Sequence, residues 1–117
     1  MKILVVDDEQ LVRWLLDRAL KKSGHEVITA SNISEAFEKI IREKVDILFV
    51  DLRMPGGNGR ELLEKIADLT LKPKVVVCSA FITSMQEEEF RNKGACILKK
   101  PFTLDELNRV VLQCINL

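Results

Sequence analysis

The chain has 117 residues and a formal net charge of zero, with 18 basic residues against 18 acidic ones. This length predicts a single domain with one core and leaves no room for a second domain. The balanced charge, without any basic run, argues against direct nucleic-acid binding, and no apolar stretch suits a signal peptide or a membrane span. We therefore expect a cytoplasmic protein that contacts neither nucleic acid nor membrane.

Short apolar runs alternate with longer helical patterns along the chain. The runs predict five strands, at residues 2–6, 26–30, 46–50, 74–78 and 95–98. The first, third and fourth runs are apolar without alternation, which indicates central parallel strands that are covered on both faces. The pattern predicts an α/β fold with three layers, built from five βα units around a five-stranded parallel sheet in the order 2-1-3-4-5.

The predicted helices have recognisable ends. Gly24 ends the first helix. N-cap candidates precede the other four helices, in chain order Asn32 or Ser34, Asn58, Ser84 and Thr103. The first helix carries one apolar arc that we expect to face the core, formed by Leu11, Val12, Leu15, Leu16, Ala19 and Leu20. Trp14 falls on the opposite side of this helix, where we expect it to be exposed.

The three cysteines, Cys78, Cys96 and Cys114, lack the spacing of a metal or redox motif. Each lies in an apolar run, so we expect reduced thiols in the core. His25, the only histidine, follows Gly24 at a turn, and we expect a surface residue rather than a catalyst.

Reactive side chains stand where the predicted strands end. Asp7 and Asp8 follow the first strand, Asp51 the third, Ser79 the fourth and Lys100 the fifth. The carboxyl ends of strands in an open parallel sheet form its ligand site, so we expect these residues to converge. Neighbouring carboxylates repel by about 1 to 4 kcal/mol per pair, which calls for a cation. Oxygen ligands without histidine or thiolate favour Mg²⁺, although acids in this position are equally typical of a helix N-terminus.

The remaining side chains suit a phosphoryl group. A carboxylate such as Asp51 is an accepted nucleophile in phosphoryl transfer. Lys100 would supply a cation and Ser79 a hydroxyl, both of which stabilise charge on a transferring phosphoryl group. Residues 54–59, Met-Pro-Gly-Gly-Asn-Gly, predict a tight turn directly after this site.

In this order, the four segments resemble the receiver domain of response regulators, the phosphoacceptor module of two-component signalling. The resemblance covers residues 1–117 and implies the flavodoxin-like (CheY-like) fold. It implies that Asp51 is phosphorylated, and that Asp7, Asp8, Asp51 and the backbone carbonyl of Arg53 hold Mg²⁺. Ser79 would be the switch hydroxyl, and Lys100 would pair with the phosphoryl group.

The resemblance also implies partners and a mode of action. A sensor histidine kinase or a phosphotransfer protein would supply the phosphoryl group. The fourth helix, fifth strand and fifth helix, at residues 85–92, 96–98 and 104–108, would change and contact a downstream effector or a second copy. The domain would be no enzyme beyond its own phosphotransfer and slow dephosphorylation. One position departs from the family pattern, because Ile97 stands where the family usually has Tyr or Phe.

Three other functions share parts of this pattern. A nucleotide or flavin binder of similar fold needs a phosphate loop after the first strand, and Asp7-Asp8-Glu9 would repel that phosphate. A small phosphatase with an aspartyl nucleophile carries a second acid two residues later, where this chain has Arg53. A receiver-like adaptor that is never phosphorylated would share every residue of the site.

Overall fold

A computed structural model describes residues 1–54 and 57–116, with residues 54, 57 and 58 described by their backbone only. The main sheet contains five parallel strands: β1 Lys2–Val6, β2 Glu26–Ala30, β3 Ile47–Val50, β4 Lys74–Ser79 and β5 Cys96–Lys99. The helices are α1 Gln10–Lys22, α2 Ile33–Arg42, α3 Gly59–Ile66, α4 Ser84–Asn92 and α5 Leu104–Ile115. The strand order is β2-β1-β3-β4-β5, which confirms the predicted topology.

The sheet buries both faces, as its continuous apolar strands predict. Successive residues of a strand point to opposite faces, so Ile3 and Val5 join one buried cluster while Leu4 and Val6 join the other. Helices α1 and α5 cover the first face, and α2, α3 and α4 cover the second. The predicted three-layer arrangement is confirmed.

Strand boundaries differ from the predicted ones by one residue at three places. β4 continues to Ser79, which pairs with Lys99, so that the hydroxyl stands on the last residue of a strand rather than in the following loop. β3 begins at Ile47 instead of Asp46, and β5 is shifted by one residue to Cys96–Lys99. These shifts leave the carboxyl ends of the strands at one edge of the sheet.

A short antiparallel pair, Arg53–Met54 with Gly57–Asn58, follows β3 and was not predicted. It occupies the region of the predicted tight turn, of which Pro55 and Gly56 lie outside the described residues. Immediately after this pair, Gly59 begins α3 against the strand end. A Cβ at Gly59 would press on the Asp51 carbonyl oxygen and lie 2.9 Å from Val50 Cγ2, so this close approach requires glycine.

The predicted arc of α1 is too wide. Leu16 and Leu20 are buried, but Leu11 is 65% exposed and Leu15 is 50% exposed. A short helix lying on a sheet buries only a narrow stripe, and these two residues fall at the margin of that stripe. Trp14 is 51% exposed, which confirms the prediction for this residue.

Two of the four predicted N-caps are confirmed, and the side chain of Asn58, predicted as the cap of α3, lies outside the described residues. The Asn32 side chain accepts a hydrogen bond from the Glu35 amide, and Thr103 forms a capping box with Glu106. The cap of α4 is Thr83 rather than Ser84. Thr83 and Gln86 exchange reciprocal hydrogen bonds of 3.1 and 3.0 Å, and this pairing fixes the start of the helix one residue earlier than predicted.

The cysteines and the histidine have different outcomes. Cys78, Cys96 and Cys114 are buried free thiols, as predicted. His25 is half-buried instead of lying fully on the surface, and its amide donates a hydrogen bond to the Leu20 carbonyl of α1. Burial lowers the pKa of His25. In the described part of the chain, no helix combines the length and apolar character needed to cross a bilayer.

Candidate functional site

Backbone hydrogen bonds continue the sheet one residue beyond its strands. The Asp7 amide donates to Ala30 O at 3.3 Å, and the Asp51 amide donates to Val6 O at 3.2 Å. At the far side of the sheet, the Lys100 amide donates to Ser79 O at 3.0 Å. The three reactive side chains are thus held by the sheet itself, at the edge where its strands end.

Lys100 joins the two buried acids. Its Nζ donates to Asp7 Oδ2 at 2.7 Å and to Asp51 Oδ2 at 2.9 Å. The three side chains are nearly enclosed, with 14%, 3% and 9% exposure for Lys100, Asp7 and Asp51. Burial acts to lower the pKa of Lys100, but the hydrogen bonds that its ammonium group donates to Asp7 and Asp51 outweigh burial and raise that pKa overall. The ammonium group is therefore a fixed charge within this site.

The second oxygen of each buried acid accepts a backbone hydrogen bond. Asp7 Oδ1 accepts from the Glu9 amide at 2.9 Å, and Asp51 Oδ1 accepts from the Arg53 amide at 3.1 Å. The Arg13 guanidinium donates to the Asp7 carbonyl oxygen at 2.5 Å. We did not predict this contact, because Arg13 lies on the polar side of α1 and its spacing from Asp7 carries no signal. Both carboxylates are thereby held in a single orientation.

The acidic residues also form a set of oxygen donors. One carboxylate oxygen each of Asp7, Asp8 and Asp51 lies within 4.8 Å of the others, with Asp8 at the exposed side. An all-oxygen set that is open to water on one side fits Mg²⁺, which keeps several water ligands. Cys78 lies nearby, but burial raises its pKa to about 12, so this thiol stays protonated and is no competing metal ligand.

The Ser79 hydroxyl points into its own loop. Its side chain is buried, and in the described residues both hydrogen bonds of Oγ go to Phe81: it donates to Phe81 O and accepts from Phe81 N, each at 3.3 Å. Ser79 therefore lies at the same edge of the sheet as the acids, without bonding to them.

One contact joins the short pair after β3 to the loop after β4. The Arg53 guanidinium carbon lies 4.8 Å from the centre of the Phe81 ring, within the range of a cation–π interaction. The Phe81 side chain is 66% exposed, so this contact is at the surface. Sequence analysis missed Phe81, since nothing in its local pattern indicates which residue of another loop its ring meets.

The neighbours of Lys100 on β5 have different surroundings. Lys99 is 63% exposed and its Nζ lies 3.2 Å from Glu87 Oε2 on α4. Ile97 is half-buried and packs against the cluster that α2, α3 and α4 cover. Of the two adjacent lysines at the end of β5, Lys100 therefore reaches the acids, whereas Lys99 links β5 to α4.

Comparison with known proteins agrees with this geometry. The model of the response regulator receiver domain matches residues 3–112. The chain is 30% identical over 111 residues to sporulation initiation phosphotransferase F of Bacillus subtilis, and this match covers 94% of this chain and 90% of that protein. It is 35% identical over 115 residues to the DNA-binding transcriptional regulator NtrC of Azospirillum brasilense. That match covers 97% of this chain, which spans only about a quarter (24%) of NtrC.

A solved structure gives the same result at the level of the fold. The response regulator protein TrrA of Thermotoga maritima, in complex with Mg²⁺–BeF, matches with a TM-score of 0.84 and 32% identity over 97% of both chains. The family model covers most of the sheet and helices described above, including every residue of the acidic site. On this basis the chain belongs to the response regulator receiver domain family of two-component signalling.

Proposed function

We propose that this chain is a phosphorylation-dependent switch, in which residues 1–117 form one receiver domain and Asp51 is the phosphoacceptor. The donor would be the phosphohistidine of a sensor histidine kinase or of a phosphotransfer protein. The observation that carries the proposal is the position of Lys100 Nζ, which bonds to both Asp7 and Asp51 within a nearly enclosed site. An acceptor carboxylate beside a fixed cation suits phosphoryl transfer.

The side chains would divide the chemistry between them. An oxygen of Asp51 attacks phosphorus in line, so that a P–O bond forms while the P–N bond breaks and the imidazole leaves with its electron pair. Lys100 then pairs with a phosphoryl oxygen in place of one carboxylate oxygen. The Ser79 hydroxyl donates to another phosphoryl oxygen once it leaves Phe81. Each of these interactions places a donor or a positive charge against new negative charge.

The proposal includes a metal site in the same pocket. Asp7, Asp8, Asp51 and the backbone carbonyl of Arg53 would hold Mg²⁺, consistent with the cluster of carboxylate oxygens. When bound, Mg²⁺ would neutralise negative charge on the phosphoryl oxygens. The family relation to a protein crystallised with Mg²⁺–BeF supports this choice of metal.

The output would be a change of shape, since a receiver domain is a phosphoacceptor rather than a conventional enzyme. Its own catalysis would be limited to phosphotransfer and slow dephosphorylation. Ser79 precedes the loop that leads to α4, and Lys100 lies between β5 and α5. The segments that lead into α4 and into α5 therefore both start at the site. We infer that a downstream effector or a second copy binds this face, without direct contact to nucleic acid or membrane. Three free thiols support a reducing, cytoplasmic location.

A phosphorylation experiment tests the acceptor. Wild type, Asp51→Asn and the surface control Asp68→Asn are incubated with acetyl phosphate and Mg²⁺, and the adduct is mapped by mass spectrometry. We expect one phosphoryl group on wild type and on Asp68→Asn, and none on Asp51→Asn. Modification of Asp7 or Asp8 would contradict the assignment. Turnover without a stable adduct would favour a phosphatase, and no reaction at all would favour an adaptor.

The output face needs its own measurement. Backbone NMR spectra with and without a beryllofluoride mimic should change at residues 85–92, 96–98 and 104–108, with α2 as the internal control. Ile97 is β-branched and stiff, so we expect the response to be carried mainly by α4 rather than by a side chain of β5. Changes confined to the acidic residues would refute this face.

A further inference from the structure

We propose that Arg53 and Phe81 form a latch that holds the Ser79 hydroxyl away from Asp51, which makes both of them positioning residues for the switch. This inference rests on the proposed function, because it concerns how Ser79 becomes available to a phosphoryl group. It assigns a role to two side chains that lie outside the acidic site.

A continuous set of contacts joins the acceptor to the hydroxyl. The Arg53 amide bonds to Asp51 Oδ1 at 3.1 Å, and the Arg53 guanidinium lies 4.8 Å from the Phe81 ring centre. The amide and carbonyl of Phe81 hold Ser79 Oγ at 3.3 Å each. Arg53 therefore restrains the ring of the residue whose backbone holds the hydroxyl.

Releasing the hydroxyl would disturb this set of contacts. In the described residues both hydrogen bonds of Ser79 Oγ go to Phe81, so binding a phosphoryl group on Asp51 means giving up these bonds, and we expect the loop of residues 80–83 to move as they break. Phe81 is 66% exposed and belongs to neither buried cluster, and the Arg53 guanidinium is the described group that lies over its ring. A cavity of about 560 Å³ beside the pair, lined also by Leu52 and Ile82, gives the loop room to move.

The latch supplies what β5 lacks. Ile97 is half-buried and β-branched, so it cannot swing between an outward and an inward position. Phe81 carries its ring on a surface loop, and its own backbone amide donates a hydrogen bond to the Ser79 hydroxyl. In this chain the movable aromatic side chain would therefore lie between β4 and α4.

The strength of the contact sets the size of the effect. A cation–π contact at an exposed site corresponds to about a two- to fivefold change in an equilibrium constant. A ligand that binds only the unlatched state has its apparent affinity reduced by the population of that state. Removing the latch should therefore tighten the binding of such a ligand by about two- to fivefold.

Beryllofluoride with Mg²⁺ serves as the probe, titrated by NMR into wild type and variants. Phe81→Leu removes the ring and keeps an apolar side chain, so its affinity should exceed that of wild type by about two- to fivefold. Phe81→Trp keeps a ring for Arg53 and should retain wild-type affinity or bind more weakly. Trp14→Leu is the matched control, because Arg18 lies 4.9 Å from the Trp14 ring on α1, and it should leave the affinity unchanged.

A double-mutant cycle separates the latch from the charge of Arg53. We expect Arg53→Gln to change the affinity for beryllofluoride by itself, because it removes both the latch and the charge. In that background, Phe81→Leu should have no further effect on the affinity. Without the probe, the Met85 amide of Phe81→Leu should already move toward its beryllofluoride-bound shift. Unchanged affinity in Phe81→Leu, or the same tightening with and without Arg53, would overturn the latch. Failure of wild type to bind beryllofluoride would instead overturn the proposed function.

Discussion

Loss of the Lys100 charge should destabilise the metal-free fold more than the loss of any surface lysine. Lys100→Met keeps the length of the side chain but leaves Asp7 and Asp51 together without their shared cation. Removing one partner of a buried ion pair costs about 3 to 5 kcal/mol, and the residual 14% exposure of Lys100 favours the lower end. We therefore expect a loss of about 3 kcal/mol in the free energy of unfolding.

This loss is large enough to measure by heating. Unfolding entropies near 2.1 cal/mol/K per residue give about 250 cal/mol/K for a chain of this length, so 3 kcal/mol lowers Tm by about 12 °C. The raised pKa of Lys100 means that its contribution is fully present below its ordinary value of 10.5 and is lost only as the pH rises above it. Calorimetry in EDTA at neutral pH therefore captures the whole effect.

The adjacent lysine provides the control. Lys99→Met removes the same charge from an exposed ion pair with Glu87, which is worth at most about 1 kcal/mol, or about 4 °C. Adding Asp51→Asn to Lys100→Met should recover part of the stability, and Mg²⁺ should raise the Tm of Lys100→Met more than that of wild type. Equal melting temperatures for the two lysine variants would refute the electrostatic argument.

Three further predictions concern the metal, the start of α3 and the pH. At a hundredfold excess over its dissociation constant, Mg²⁺ should stabilise wild type by about 2.7 kcal/mol in urea unfolding, and Asp8→Asn should lose most of this gain. An equal gain in the variant would show that Asp8 is no metal ligand. Gly59→Ala should lose about 1 to 3 kcal/mol by the same assay, because its methyl group meets the Asp51 backbone; unchanged stability would mean that α3 can shift freely. The lowered pKa of His25 means that the unfolded chain binds this proton more tightly, so stability falls as the pH drops below 6.5. His25→Asn should lose less stability than wild type between about pH 7 and about pH 5, and parallel losses in urea midpoints would contradict this.

The topology could be predicted because it depends on features that the sequence displays directly. Unbroken apolar runs such as Ile47–Val50 mark buried parallel strands, and their ends indicate where Asp51 and its counterparts lie. The structure brings Asp7, Asp51 and Lys100 together at that edge, while their roles in phosphoryl transfer stay a prediction.

Contacts between loops could not be predicted in the same way. The Arg53–Phe81 contact depends on how the segment after β3 and the loop after β4 approach each other once the sheet has formed, and the bonds of Ser79 to Phe81 depend on the local conformation of that loop. Helix burial was also misjudged at its margins, since Leu11 and Leu15 match the apolar period of α1 but lie beyond the stripe that the sheet covers. Periodicity reports which side of a helix faces the core, and the neighbouring elements decide how wide that side is.

The bonds of Lys100 span 93 and 49 residues of sequence, so they link the assembly of the whole sheet to its charge balance. Pairing of β1 with β3 already brings Asp7 and Asp51 together, whereas their cation arrives only when β5 adds to the edge beyond β4. A nascent or truncated chain that stops before Lys100 thus holds two acids in an incomplete sheet, with no lysine to balance them. Electrostatic repulsion then disfavours the half-assembled sheet, in addition to its exposed apolar faces, and favours folding of the domain as one cooperative unit.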